Sequence, residues 1–194
     1  MLGDGHIRKT YTSKNYRLEF TYGIKQISYI NHLKQNIYSS ICTLTPPTPY
    51  PSVKSGKLPI QYWFSTRSLI EITELYPIWY KEINSKFVKI VPLDIISLLT
   101  PIGLAHWIMD DGYWNNDSKT VVLCTDNFTE EEVLLLIDVL YNKFQLIAKP
   151  NKRKRETGIT CWRIRFSRKN DNLNILRSLI SPYLISEMNY KLGV

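Results

Sequence analysis

The chain has 194 residues, 44% of them hydrophobic, and its 25 Lys+Arg against 17 Asp+Glu leave a net charge of +8. A chain of this length buries about 70% of its extended surface, and its apolar content excludes a disordered basic tail. What remains is a folded basic protein, and the first partner to consider is a polyanion, either nucleic acid or an anionic membrane surface.

Cys42, Cys124 and Cys161 stand far apart without a CxxC pair, and His6, His32 and His106 add no ligand spacing. This argues against a disulfide scaffold or a zinc site and fits a reducing compartment. No apolar run reaches the length of a membrane span. The opening residues, Met1 to His6, are charged and turn-like rather than a signal peptide. Dense use of Ile, Asn, Lys and Tyr is what AT-rich codons produce, as in an organelle genome.

In chain order, residues 16–24 alternate as a strand, with Tyr16, Leu18, Phe20 and Tyr22 on one face and Arg17, Glu19 and Thr21 on the other. Residues 26–41 carry Ile27, Ile30, Leu33, Ile37 and Ile41 at helical spacing. Pro46, Pro47, Pro49 and Pro51 predict a loop. Residues 57–65 alternate again, and 68–83 read as a helix kinked at Pro77. Residues 93–101 form a joint, after which Thr100 caps a helix that begins at Pro101 and ends before Gly112. A strand over 119–124 comes next. Thr129 then caps a helix opened by Glu130, Glu131 and Glu132 at its positive end. Segments 145–148 and 160–167 read as a hairpin around a loop over 150–158, and 170–184 as a closing helix. Each half reads strands, helix, strands, helix, which points to an internal duplication, with halves at 1–92 and 102–194.

Asp110 and Asp111 stand at the negative end of their helix dipole, the end that disfavours carboxylates unless a cation arrives. The Asp-Gly pair of Asp111 and Gly112 has a copy at Asp4 and Gly5, one half-length earlier. Duplicated carboxylates point to a symmetric metal site of the kind used in phosphodiester cleavage. Lys89 and Lys191 come after their aspartates in similar register, and a lysine beside metal-bound water can orient it and stabilise the pentavalent state.

Leu104-Ala-His-Trp-Ile-Met-Asp-Asp-Gly112 resembles the second motif of the LAGLIDADG homing endonuclease family, and Met1-Leu-Gly-Asp-Gly-His-Ile7 resembles the end of the first. Leu44-Thr-Pro-Pro47, Lys89-Ile-Val-Pro92, Leu99-Thr-Pro101, the segment 121–133 and the stretch from Ser181 to Lys191 also match. The chain is similar to the monomeric, two-motif members encoded in mitochondrial group I introns. That resemblance implies an α+β fold, a pseudo-twofold duplicated αββαββα, with two antiparallel saddle-shaped sheets around a central two-helix interface. It makes Asp4 and Asp111 the catalytic, metal-binding aspartates and Lys89 and Lys191 the lysines flanking the active centres. Gly3 and Asp110 become carbonyl donors to metal. Mg²⁺ is the implied cofactor, with Mn²⁺ substituting and Ca²⁺ supporting binding only. The first motif lacks its preceding helix, of which a full copy needs about two further turns upstream of Met1; either the sequence is trimmed there, which is the favoured expectation, or the first-half helix is truncated.

For the DNA face, Trp162, Ile164 and Phe166 alternate with Arg163 and Arg165, with Arg168 just beyond. In the first half, Arg17, Glu19, Thr21, Gln61, Trp63 and Ser65 hold the corresponding face. Arg and Gln suit guanine and adenine edges in the major groove. Lys152, Arg153, Lys154 and Arg155 are expected in a loop that clamps DNA phosphates. The expected activity is a staggered double-strand cut with 3′ overhangs at a long asymmetric duplex site, promoting intron homing in the mitochondrion. The alternatives are an RNA maturase that helps its host intron splice, and a non-cleaving nucleic-acid-binding protein on the same fold.

Overall fold

The computed structural model describes residues 1–194 and divides into two compact units, Gly3–Ile78 with Met1, and Trp79–Val194 with Leu2. In the first, strands β1 (His6–Lys9), β2 (Tyr16–Gly23), β3 (Thr48–Tyr50) and β4 (Gln61–Ser65) form an antiparallel sheet in the order β1-β2-β4-β3. The period-two pattern sends Ile7, Leu18, Phe20, Tyr22 and Phe64 into one buried face. Tyr29, Ile30 and Leu33, on and just after helix α1 (Ile27–His32), are buried on that same side.

The helix expected over 26–41 is not continuous. A 3₁₀ turn (Ile24–Gln26) leads into α1, a wider π turn comes after it (Leu33–Ile37), and a second 3₁₀ turn (Ser39–Ile41) ends the run. None of these pieces has a side-chain cap. The π turn closes with the Tyr38 amide on the Leu33 carbonyl at 2.8 Å, and its extra residue rotates the succeeding 3₁₀ turn about the helix axis.

The proline-rich loop also differs from expectation, because Thr48–Tyr50 pairs with β4. Pro49 lies in an edge strand, where a missing amide donor breaks no second ladder. Helix α2 (Ile70–Trp79) stops four residues short of its expected end. The chain then forms a hairpin of β5 (Tyr80–Ile83) and β6 (Lys86–Lys89). Its two turn residues, Asn84 and Ser85, have φ of 51° and 59°, the double positive-φ geometry of a tight hairpin turn.

The break between the units falls before this hairpin, earlier than the joint expected at 93–101. Hydrogen bonds tie the segment after the hairpin to the second unit: Ile90 donates to the Trp79 carbonyl at 2.9 Å, and Val91 donates to Glu132 Oε1 at 2.8 Å. The second unit continues with a single turn α3 (Ile95–Leu98), then α4 (Pro101–Asp111), β7 (Gly112–Asn115), β8 (Thr120–Leu123), α5 (Glu130–Phe144), β9 (Ala148–Lys154), β10 (Thr160–Phe166) and α6 (Asn172–Ile180). Its sheet order, β7-β8-β10-β9, repeats that of the first unit strand for strand. The edge strands match down to their prolines, Pro49 facing Tyr62 and Pro150 facing Ile164. From α4 onward the second unit is a full αββαββα; from β1 onward the first reads ββαββα.

Helix α5 begins at its expected start: Thr129 and Glu132 form a reciprocal capping box, and Val133, Leu136, Val139 and Leu140 are buried against the sheet. The hairpin after it is longer than expected. Strand β9 runs through Pro150 to Lys154, and only Arg155 to Ile159 form the turn, closed by Arg155 N donating to the Ile159 carbonyl at 2.9 Å. Helix α6 ends at Ile180, before the 3₁₀ turn that holds Pro182 (Ser181–Tyr183). No helix is long and apolar enough to cross a membrane.

Candidate active site and nucleic-acid face

Helix α4 begins where the sequence predicts. Thr100 Oγ1 accepts from the Gly103 amide at 3.1 Å and Pro101 occupies the first turn. The helix buries Leu104, Ala105, Trp107, Ile108 and Met109 and so carries Asp110 and Asp111 to a rigid end point. Gly112 is extended there, φ −80° and ψ 152°, so its need is space rather than a left-handed turn. A Cβ on it would stand 2.5 Å from the Ile108 carbonyl oxygen. The chain passes from helix directly to β7, and the Asp111 carbonyl accepts from the Cys124 amide at 3.0 Å, fixing half-buried Asp111 at the head of the sheet.

Lys191 is 6% exposed. Its ammonium donates to the carbonyls of Met109 and, at 3.1 Å, Asp110. Those carbonyls are among the last of α4, which lack amide partners within the helix. A buried cation there also offsets the dipole that the two aspartates oppose. Lys191 thus reaches the motif as sequence register implied, but through the backbone. The Asp110 carbonyl, expected to face a metal, already accepts from this ammonium.

In the first unit the same junction recurs: Asp4 is exposed, Gly5 is buried, and β1 starts at His6. A Cβ on Gly5 would meet the Phe20 ring at 2.6 Å, so both glycines are required by close approach. Gly3 precedes Asp4 in an irregular, half-buried segment. Lys89, expected in the first half, belongs to the second unit, where it ends β6 opposite Tyr80 and is half-buried. The donor chemistry fits a hard divalent cation: the candidate ligands are carboxylate and carbonyl oxygens. No three His, Cys, Asp or Glu side chains converge as a self-contained metal cage.

The polar face of the second sheet is more constrained than its alternation implies. Arg163 points to that face, yet its Nε and Nη2 donate to both carboxylate oxygens of Asp126 at 2.8 and 2.6 Å, and its Nη1 to Tyr113 Oη at 3.4 Å. Asp126 therefore neutralises the arginine expected to read bases. Arg165 lines a cavity of about 600 Å³ with Lys149, Arg168 and Lys169, a group of four cations with no carboxylate among the lining residues.

The basic run is not a flexible loop, because β9 splits it by register. Arg153 pairs with Cys161 on the Arg163 face, whereas Lys152 and Lys154 share the Trp162 face, with Lys152 Nζ 5.5 Å from the Trp162 ring centre. Arg155 donates to the Asp126 backbone carbonyl at 2.9 Å.

The hydrogen bonds from Arg163 hold the Asp126 carboxyl below the usual carboxylate range, against the upward push of its partial burial. A depressed carboxylate stabilises the fold above its unfolded pKa, and that stabilisation is lost as pH falls through the folded value. Asp126→Asn is expected to destabilise the protein by about 1–3 kcal/mol at pH 7. The difference from the unsubstituted protein should vanish on acidification below the ordinary carboxylate range, read by urea unfolding at a series of pH values.

In the first sheet Thr21, Gln61, Trp63 and Ser65 share one face, with Trp63 exposed. Glu19 lies on the same face but is 7% exposed. Arg17 Nε donates to it at 2.8 Å, Arg8 Nη1 donates at 3.4 Å, and His6 Nε2 lies 3.3 Å away. Burial pushes the Glu19 carboxyl up, but the Arg17 hydrogen bond and the charges of Arg17, Arg8 and His6 hold it below its ordinary value. Glu19 organises this face as a buried hub, and Arg17 is committed to it.

A family model described as the LAGLIDADG DNA endonuclease family matches residues 1–173. The chain belongs to this family. It is 32% identical over 200 residues to the cytochrome b mRNA maturase bI2 of Saccharomyces cerevisiae, a match covering 100% of this chain and 45% of that protein; it thus spans under half of that relative. It is 30% identical over 199 residues to "Probable intron-encoded endonuclease 1" of Wickerhamomyces canadensis, covering 99% of this chain and 80% of that one. Its fold is similar to that of the homing endonuclease I-WcaI bound to its DNA recognition sequence, with a TM-score of 0.77 and 30% identity over 98% of this chain and 81% of that chain.

Sequence reasoning about this LAGLIDADG chain missed several face residues. His6 and Arg8 on β1 pair with Glu19 and Arg17, and Thr48 and Tyr50 on β3 pair with Trp63 and Gln61. In the second unit, Asn151 and Lys149 pair with Arg163 and Arg165. Strand β1 is short and comes straight after the motif, and β3 is masked by its prolines. Strand β7, directly after the second Asp-Gly, was not read from the sequence either; the signal that could have found both is the αββαββα repeat implied by the resemblance, which puts two strands after each motif.

Proposed function

We propose that this chain is a site-specific DNA endonuclease that cuts both strands of a long asymmetric duplex site with a divalent metal, leaving 3′ overhangs. The observation that carries this reading is the repeated Asp-Gly junction, Asp4 before β1 and Asp111 before β7, each at the head of a sheet of identical strand order. In this reading each carboxylate holds a divalent cation, Mg²⁺ or Mn²⁺, beside the backbone carbonyls of Gly3 and Asp110. The bound metal would supply an activated water and offset charge on the leaving oxygen. Lys191 holds the end of α4 and so orients Asp111; Lys89 is the lysine that the family resemblance assigns to the first motif. Both polar sheet faces carry the duplex: Thr21, Gln61, Trp63 and Ser65 on one, Arg153, Arg165 and Arg168 on the other. The protein acts as a monomer in the mitochondrial matrix and promotes intron homing; the kinship with a cytochrome b mRNA maturase supports that compartment.

The test is incubation with Mg²⁺ and a duplex spanning the intron-insertion locus of its own gene. A staggered double-strand cut supports the reading, and binding without cutting in either Mg²⁺ or Mn²⁺ overturns it. The maturase kinship favours a second reading, assistance of host-intron splicing, which a splicing assay on that intron RNA tests directly.

With Ca²⁺ as the only divalent ion, duplex affinity should fall steeply with salt. Neutralising Arg165 and Arg168 together is expected to lower the log–log salt slope by about 0.9 for each phosphate they neutralise. Arg155, engaged with the Asp126 carbonyl, should change the slope far less.

A further inference from the structure

Lys34 sits in the π turn Leu33–Ile37 and is only 6% exposed. Its stem is buried while the ammonium opens on a cavity, and no carboxylate or carbonyl engages it. Its one directed contact is the face of Phe64, whose ring centre lies 5.5 Å from Nζ. Lys34 lines a cavity of about 320 Å³ together with Gln35, Ser39, Thr43, Leu44, Thr45 and Pro46. That lining offers an ammonium, three hydroxyls and an amide, and no acid.

A second cation stands nearby. The Arg67 guanidinium donates to the Ser40 carbonyl and its backbone amide to the Ile41 carbonyl, pinning the loop that roofs the site. Burial pushes the Cys42 thiol up, while the charges of Lys34 and Arg67 act in the opposite sense, so the positive potential extends across this corner. Phe64 belongs to the buried, helix-covered face of the first sheet, so the cavity lies on the opposite side from Thr21, Gln61 and Trp63.

We infer that this cavity is a phosphate site, in which Lys34 supplies the charge and the Ser39, Thr43 and Thr45 hydroxyls supply hydrogen bonds. Thr43 and Thr45 Oγ1 are 2.8 Å apart and already hydrogen-bonded, so the pair presents a donor to an incoming oxygen. Ammonium and hydroxyls recognise a free phosphate and a backbone phosphodiester by the same chemistry. Phosphate binding in this cavity is independent of DNA cleavage.

The probe is inorganic phosphate against chloride at matched ionic strength, read by thermal unfolding. A saturable rise in Tm of about 5–10 °C is expected at a hundredfold excess over Kd. Lys34→Met should abolish the rise, and in chloride it should unfold close to the temperature of the unsubstituted protein because the stem packing is kept. The double variant Thr43→Val with Thr45→Val should weaken phosphate at least about tenfold, which keeps the test intact should the lysine variant fail to fold. No saturable rise in the unsubstituted protein, or an equal rise in Lys34→Met, overturns the site and assigns any phosphate effect to other cations. The source is read from nucleic-acid binding. A site for backbone phosphate predicts that Lys34→Met lowers the duplex salt slope by about 0.9, or that of a single strand by about 0.7. A site for free phosphate predicts an unchanged slope.

Discussion

Asp111→Asn is expected to retain duplex binding and to lose double-strand cleavage by at least about 10³-fold, or roughly 4 kcal/mol of transition-state stabilisation. The substitution keeps size and hydrogen bonding but removes the charge that holds a divalent cation. Helix α4 and the Cys124 hydrogen bond act on the backbone of residue 111, so the fold should be unaffected. Asp4→Asn should have the same magnitude. Any residual activity should be nicking, with the preferred strand differing between the two variants, read on an end-labelled duplex. Asp110→Asn should cost far less. A dead Asp110→Asn beside a nearly active Asp111→Asn would mean that the motif register is wrong.

Lys191→Met should lower both stability and cleavage, and the pairing of the two losses is what distinguishes a helix-holding lysine from a purely chemical one. Removing the ammonium leaves the carbonyls of Met109 and Asp110 without their donor, at a cost of about 2–4 kcal/mol. It also leaves Asp110 and Asp111 facing an uncompensated dipole end. A shift of the Asp111 carboxylate by a fraction of an ångström would then cost cleavage about 10²-fold. Urea unfolding and single-turnover cleavage measure the two effects. A variant of unchanged stability that no longer cuts would assign Lys191 to the chemistry alone.

Local signals carried much of what the sequence alone determined. Thr100 with Pro101, and Thr129 with Glu132, mark helix starts because a cap acts within four residues of itself. Alternation in β2, β4 and β10 marks a buried face because the strand period is two. The repeated Asp-Gly pair located both motif ends, since glycine is needed at each close approach, to Phe20 at Gly5 and to Ile108 at Gly112. Tertiary structure decided what depends on distant partners. Pro49 and Pro150 are tolerated in strands only because sheet order leaves both strands at an edge. The run from Lys152 to Arg155 is divided between two faces by its register with β10. Arg163 is claimed by Asp126, 37 residues earlier, and Lys191 reaches the α4 terminus across 82 residues to Met109. Composition and periodicity report which side chains face together; only the folded chain determines which charges are already paired, because pairing is set by separation in space rather than along the sequence.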